Sequence, residues 1–181
     1  ELENWTDKEI SARIVKQYEK PNPQAQSAML IALPNKQDKL ELIVQKLTEI
    51  WIQTLFLWAS ERSVVRSFSP NKQERLYKIM QEALEQSRSW EMPKIQFITD
   101  LKELYEEYQL CIFDLKENSN GKVKNIDKPL LWVIGPEGGL TDKDYKQFGN
   151  EWCGINLWEQ VLRMETAAII WSWLIKQGKI S

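Results

Sequence analysis

From Met29 onward, short apolar runs alternate with stretches whose apolar residues recur every three or four positions. Met29–Leu33 is a continuous apolar run closed by Pro34, and it reads as a buried strand. Leu40, Ile43, Leu47 and Ile50 then follow at helical spacing and predict an amphipathic helix. Thr54–Ala59 reads as a second strand. Asn71–Gln86 reads as a helix carrying Leu76, Ile79, Ala83 and Leu84 on one face. A strand over Ile95–Ile98, a short helix over Leu101–Tyr108, and strands over Leu110–Phe113 and Leu130–Ile134 come next. Thr141, three residues before Asp144, resembles a capping box opening a helix to about Phe148. Gly154–Leu157 supplies a last short strand and Met164–Lys176 a final helix.

Strands alternating with helices at this spacing predict an α/β fold with a mostly parallel sheet. The strands are uninterrupted apolar runs, as expected where helices cover both faces. Ahead of this pattern, Ile10–Lys20 reads as a strand, and Pro21-Asn22-Pro23 is a breaker cluster suited to a linker. A lone strand is a poor start for a fold. The expectation is that Glu1 is not the natural beginning, that 1–23 is a remnant of another domain with its linker, and that 24–181 is the main domain.

Composition narrows the chemistry. The 181 residues, 43% of them hydrophobic, are enough to build one core. No apolar run approaches the roughly 18–20 residues of a membrane span, and no signal-peptide pattern opens the chain. Cys111 and Cys153 are far apart in sequence with no metal-ligand spacing, so reduced thiols and a cytoplasmic setting are expected. With no histidine, the commonest general base and metal ligand are both missing, and no metal site is expected. The net charge of −2 means that any nucleic-acid affinity needs a local basic patch or a further domain. Lys36, Lys39, Lys46, Arg66, Lys72, Arg75 and Arg88 are the candidates for such a phosphate-facing patch.

Two segments carry the candidate chemistry. In Ile134-Gly135-Pro136-Glu137-Gly138-Gly139-Leu140-Thr141, an apolar strand runs through a glycine-rich loop into a capped helix. Glycines there let backbone pass close to a ligand, and the carboxyl end of a parallel strand is where α/β proteins bind small molecules. The spacing is neither that of a phosphate loop nor of a dinucleotide fingerprint. The second segment, Val161-Leu162-Arg163-Met164-Glu165-Thr166-Ala167-Ala168, is on its own a polar helix start, with Glu165 favourably near the N-terminus.

Taken together and in this order, the two segments resemble the SPOUT class of methyltransferases, and within it the RsmE family, which methylates N3 of a uridine in 16S ribosomal RNA. The resemblance runs from Ala28 to the end. Lys39, Glu41, Lys46, Thr48 and Glu49 look like that family's lysine-rich helix ending in Thr-Glu, and Ser60-Glu61-Arg62-Ser63 looks like its Ser-Glu-Arg-Ser turn. Glu74-Arg75, Glu82-Ala83 and Glu85-Gln86-Ser87, followed by Pro93, look like its next helix. The resemblance implies a SPOUT-type sheet with a C-terminal trefoil knot, a homodimer, and S-adenosyl-L-methionine as cofactor, with S-adenosyl-L-homocysteine as product. It also implies that residues before Pro21 belong to a PUA-like RNA-binding domain, and that the partner is ribosomal RNA or the small ribosomal subunit. The cofactor would be wrapped by Ile134, Gly135, Pro136, Glu137, Gly138 and Gly139, and by the stretch holding Leu157, Trp158, Val161 and Leu162, with Thr166 beyond it. Phe113 and Leu115, at the end of a neighbouring strand, are further contributors.

Methyl transfer from a sulfonium asks the protein chiefly for alignment, but uracil N3 must also lose its proton. Glu137 is a candidate base. Arg62 and Arg163 are candidates for stabilising the anionic ring or gripping phosphate. Two positions depart from the resemblance: Trp51 and Trp158 stand where that family carries glycine. Either this branch tolerates both, or a UGA codon decoded as glycine in the source organism is written here as tryptophan; seven glycines against nine tryptophans point the same way. An indole at 158 would weaken cofactor binding. The competing readings are another SPOUT enzyme acting on transfer RNA or a ribose 2′-hydroxyl, and a non-catalytic ribosome-assembly factor of the same fold.

Overall fold

The computed structural model describes residues 2–5, 10–14, 16, 27–67, 69–89, 91–113, 128–149, 152–155 and 161–177. Two short strands come first: β1 (Leu2–Trp5) pairs antiparallel with β2 (Ile10–Ala12). The alternating pattern then becomes β3 (Ala28–Ala32), α1 (Gln37–Glu49), β4 (Thr54–Trp58), α2 (Pro70–Ser87), β5 (Lys94–Ile98), α3 (Lys102–Glu107) and β6 (Gln109–Phe113). It ends with β7 (Leu130–Ile134), α4 (Asp142–Gln147), β8 (Trp152–Ile155) and α5 (Met164–Lys176).

Strands β3 to β8 form one six-stranded sheet in the order β5-β4-β3-β7-β6-β8, and every pairing is parallel. Helices cover both faces, because successive strand residues point to opposite sides. Leu57 shares a small cavity with Leu76 and Tyr77 of α2, while the next residue, Trp58, meets Phe148 at the end of α4, ring centroids 5.4 Å apart. Helix α1 packs on both α2 and α5. The central strands are fully buried: Met29, Leu30, Leu55, Ile112 and Val133 have essentially no exposure.

Strand order reverses beside β3. The β3–α1–β4 connection leads one way along the sheet and the β7–α4–β8 connection the other. The carboxyl ends of β3 and β7 therefore flank a topological switch point, the crevice where open α/β sheets bind ligands.

Several expectations shift. The strand expected over Ile10–Lys20 is only Ile10–Ala12, paired with a β1 too short to show a period; residues 17–26 lie outside the described residues. The last strand begins at Trp152 and ends at Ile155, because Trp152 and Cys153 continue the ladder against β6; Leu157 lies outside the described residues. Of the expected knot loops, 134–139 is described, while 157–160 of the stretch 157–162 lie outside the described residues.

The cysteines are not the independent reduced thiols expected. Cys111 and Cys153 are register partners on β6 and β8, with Cα atoms 4.7 Å apart, and they form a disulfide. Forty-two residues of separation hid a direct neighbour relation that only strand order creates.

Trp51 adopts φ 66°, and among the described residues Arg88 is the other non-glycine with positive φ. The amide of Ile52 donates to the Leu47 carbonyl and that of Trp51 to the Thr48 carbonyl, which makes a Schellman helix end with Trp51 at its left-handed position. The Lys176 ammonium lies 4.8 Å from the centroid of the Trp51 ring.

Candidate active site

Everything that gathers at the carboxyl edge of β3, β4 and β7 is built from loops following those strands. After β7, Gly135 and Pro136 lead into a turn in which the Gly139 amide donates to the Pro136 carbonyl, 2.9 Å. Gly139 has φ +73°, a conformation that favours glycine. A Cβ on Gly135 would come within 3.0 Å of Leu140 Cγ, so its smallness lets the loop fold back on itself. Thr141 and Asp144 then form the expected capping box of α4.

Asp144 has a second task that the sequence did not announce. Its buried carboxylate accepts from the Thr141 amide at 2.9 Å and also from the backbone amide of Glu61, 83 residues away, at 2.8 Å. Glu61 reciprocates: its side chain accepts from the Thr141 hydroxyl at 2.6 Å and from Lys143 at 2.5 Å. The Lys143 hydrogen bond, then that of Thr141, hold the Glu61 carboxyl below its usual range. Arg62 donates to the Gly138 carbonyl, and its Cδ lies where a Cβ on Gly138 would meet it at 3.1 Å. The Ser60-Glu61-Arg62-Ser63 turn is thus locked onto the glycine loop, across the end of β3. Ser63 anchors the turn by donating to the Leu33 carbonyl at 2.8 Å.

The two chemistry-bearing segments meet through a third element. Lys39, in the first turn of α1, donates to Glu137 at 3.1 Å and pairs with Glu165 of α5 at 3.6 Å. Burial raises the Glu137 pKa, but hydrogen bonds from its own amide, from Lys39 and from the Asn35 amide outweigh it, and the net shift is downward. Lys39 is raised, first by its bond to Glu137. Glu165 Oε2 is buried and has no hydrogen-bond partner.

The expected site residues distribute unevenly. Ile134, Gly135, Pro136, Glu137, Gly138 and Gly139 form one continuous loop, and the Lys39 pairs bring the start of α5, with Glu165 and Thr166, beside it. Val161 is exposed, Leu162 half-buried, and Arg163 is the exposed N-cap residue of α5. The Phe113 ring is stacked between Trp132 and Trp171, with centroids 5.4 and 4.3 Å away. That ring is committed to packing against the core. Leu115, Leu157 and Trp158 lie outside the described residues.

The seven-residue basic patch expected from the sequence does not assemble as one surface. Lys46 pairs with Glu49, Arg75 makes a two-pronged contact with Glu41, and Lys39 is occupied by two carboxylates. Arg88 caps the far end of α2. Lys36, Arg66 and Lys72 remain at the carboxyl edge with Arg62. No group of three or more potential metal-ligating side chains occurs among the described residues, and no described helix is long and apolar enough to cross a membrane.

Comparison with known proteins agrees with this geometry. The sequence profile of the RNA methyltransferase domain family matches residues 20–176. Ribosomal RNA small subunit methyltransferase E of Bacillus subtilis (strain 168) is 32% identical over 153 residues, which cover 74% of this chain and 59% of that protein. The same-named protein of Synechocystis sp. is 28% identical, covering 78% of this chain and 50% of its own length. The chain therefore spans little more than half of these curated relatives. A crystal structure of ribosomal RNA small subunit methyltransferase E from Neisseria gonorrhoeae, bound to S-adenosyl methionine, superposes with TM-score 0.73 at 22% identity, covering 85% of this chain and 66% of that one. That likeness fixes the SPOUT-type fold, and the profile match fixes the family: the chain belongs to the RNA methyltransferase domain family.

Proposed function

We infer that this chain is the catalytic domain of an S-adenosyl-L-methionine-dependent methyltransferase acting on N3 of a uridine in small-subunit ribosomal RNA. The observation that carries the reading is the meeting of the loop 135–140 with the start of α5 at the switch point, through Lys39. A glycine-rich loop with apolar flanks, Ile134 and Leu140, suits a nucleoside-like ligand recognised largely by backbone. The buried Oε2 of Glu165 faces the Lys39 ammonium at 3.6 Å but accepts no hydrogen bond, so it keeps capacity for a further donor. Both fit a cofactor with an adenosine and an amino-acid tail.

On this reading Ile134, Gly135, Pro136, Gly138 and Gly139 hold the cofactor on one side. Leu157, Trp158, Val161, Leu162 and Thr166 hold it on the other, with Phe113 and Leu115 as further contributors. When bound, the cofactor supplies a methyl group already activated on a sulfonium, and it leaves as S-adenosyl-L-homocysteine. The protein's own part is alignment and charge. Glu137, held ionised by Lys39, is a weak base and acts by fixing the loop. Arg62 positions the same loop through Gly138. Arg163, exposed at the mouth, stabilises the negative charge the pyrimidine gains as solvent water takes its N3 proton, and the methyl then takes the vacated position on N3. The reading extends to a C-terminal trefoil knot, a homodimer, a cytoplasmic protein, and a PUA-like RNA-binding domain to which residues 1–23, with their linker, belong.

The test is to incubate the chain with small ribosomal subunits and methyl-labelled cofactor, then digest the RNA and analyse nucleosides by mass spectrometry. Label on N3 of a uridine in the small-subunit RNA is the expected result. Label on a ribose hydroxyl, or on transfer RNA in a parallel incubation, would move the target, and cofactor binding without any transfer would favour an assembly role.

A further inference from the structure

A lysine in the first turn of a helix faces the positive end of the helix dipole, an unfavourable place for a cation. Lys39 occupies that place in α1, and its compensation comes from outside the helix. Glu137, 98 residues on, and Glu165, at the start of α5, both turn their carboxylates to its ammonium. The three side chains are only 15–27% exposed, so they are partly shielded from water and from salt. The two carboxylates come from segments that share no direct backbone pairing, and without the cation between them they would repel.

We propose that Lys39 is a positioning residue for cofactor binding: its ammonium ties the glycine loop 135–140 to the N-terminus of α5, setting the width of the crevice between them. The inference rests on the functional reading above. It assigns Lys39 to the cofactor site rather than to a phosphate-facing patch. The arrangement puts one cation against two carboxylates, leaving the pocket wall with a single net negative charge. That charge complements the sulfonium and the ammonium of the donor. Removing Lys39 both frees the loop and leaves two facing anions, whereas arginine keeps the charge and the reach.

Three variants test it: Lys39→Met, Lys39→Arg, and the double variant Lys39→Met with Glu165→Gln. S-adenosylmethionine affinity is measured by calorimetry, and hydrogen exchange is followed in peptides 135–141 and 161–168. Lys39→Met is expected to weaken binding by about ten-fold or more. It should raise exchange in both peptides while leaving β4, β5 and α2 unchanged. Lys39→Arg restores most of the affinity, and Glu165→Gln restores part of it by removing the repulsion. Wild-type affinity in Lys39→Met overturns the proposal and leaves the functional reading intact. Exchange that rises across the whole sheet also overturns it, because Lys39 would then serve stability alone. A wild-type chain that binds no S-adenosylmethionine overturns the functional reading and the role of Lys39 with it.

Discussion

The surroundings of Glu137 and of Trp51 change what each residue can do. Glu137 was a candidate base because the chain has no histidine. A base needs a pKa near the working pH, and here Lys39 and two backbone amides move the carboxyl downward from 4.5. Glu137→Gln should therefore raise the KM for cofactor yet keep kcat at saturation within about ten-fold, where loss of a true base would cost roughly 10²–10⁴-fold. Steady-state kinetics on labelled RNA separates the two. The same shifts set a pH window. The lowered Glu137 pKa contributes stability that is present above 4.5 and lost as pH falls below it. The raised Lys39 pKa contributes stability that is present below 10.5 and lost as pH rises above it. The pair's contribution to cofactor affinity should be constant between those limits and lost outside them, so the step expected between them is that of the donor's own α-amino group, near about 8; calorimetry across pH checks it. Trp51 poses a different question, because at most positions alanine is more stabilising than glycine. At φ 66° the order should invert, with Trp51→Gly exceeding Trp51→Ala by about 1 kcal/mol in chemical denaturation. Both variants lose the ring beneath Lys176, so their difference isolates the cost of a Cβ there. A clear inversion is also what a glycine position written as tryptophan would give.

Among the elements, α4 shows where sequence reading stops. Its capping box was legible because Thr141 and Asp144 are local, and α5 was legible to the residue because its apolar face is long. Strand content of the parallel sheet was legible for the same reason, since buried strands are uninterrupted apolar runs. The neighbour relations were not. Nothing in the chain between Glu61 and Asp144 signals that a backbone amide of one turn ends on the cap of a helix 83 residues later. The Cys111–Cys153 bond likewise follows from a strand order that no period encodes. The same long-range logic makes Asp144 a strong test of the clamp. Asp144→Ala strands the amides of Glu61 and Thr141 together and should cost about 2–4 kcal/mol by denaturant titration. Asp144→Asn keeps one acceptor oxygen and should cost about half as much. Equal losses in the two variants would mean that helix capping, not the link to Glu61, dominates.

At the scale of the molecule, the proposed function raises the question of how a chain of net charge −2 would meet RNA. Ion pairing removes Lys39, Lys46, Arg75, Lys78 and Lys143 from the pool of free cations. Lys36, Arg62, Arg66, Lys72 and Arg163 keep no carboxylate ion pair among the described residues. The first four stand on or beside the loops leaving β3 and β4, and Arg163 stands at the start of α5, beside the glycine loop. Sheet polarity therefore places these five cations around the crevice. Each phosphate neutralised releases condensed counterions, so the dependence of log K on log salt counts the contacts. Five cations on a single strand predict a slope of about −3.5, and no steeper than about −4.5 on a duplex. Binding of a labelled small-subunit RNA fragment across a salt series, followed by fluorescence anisotropy, measures that slope directly. Replacing Lys36 and Lys72 together by glutamine should shrink it by about 1.5 units without altering cofactor affinity. A slope twice as steep would require cations outside this edge, and the crevice would then be reached by RNA held elsewhere on the chain.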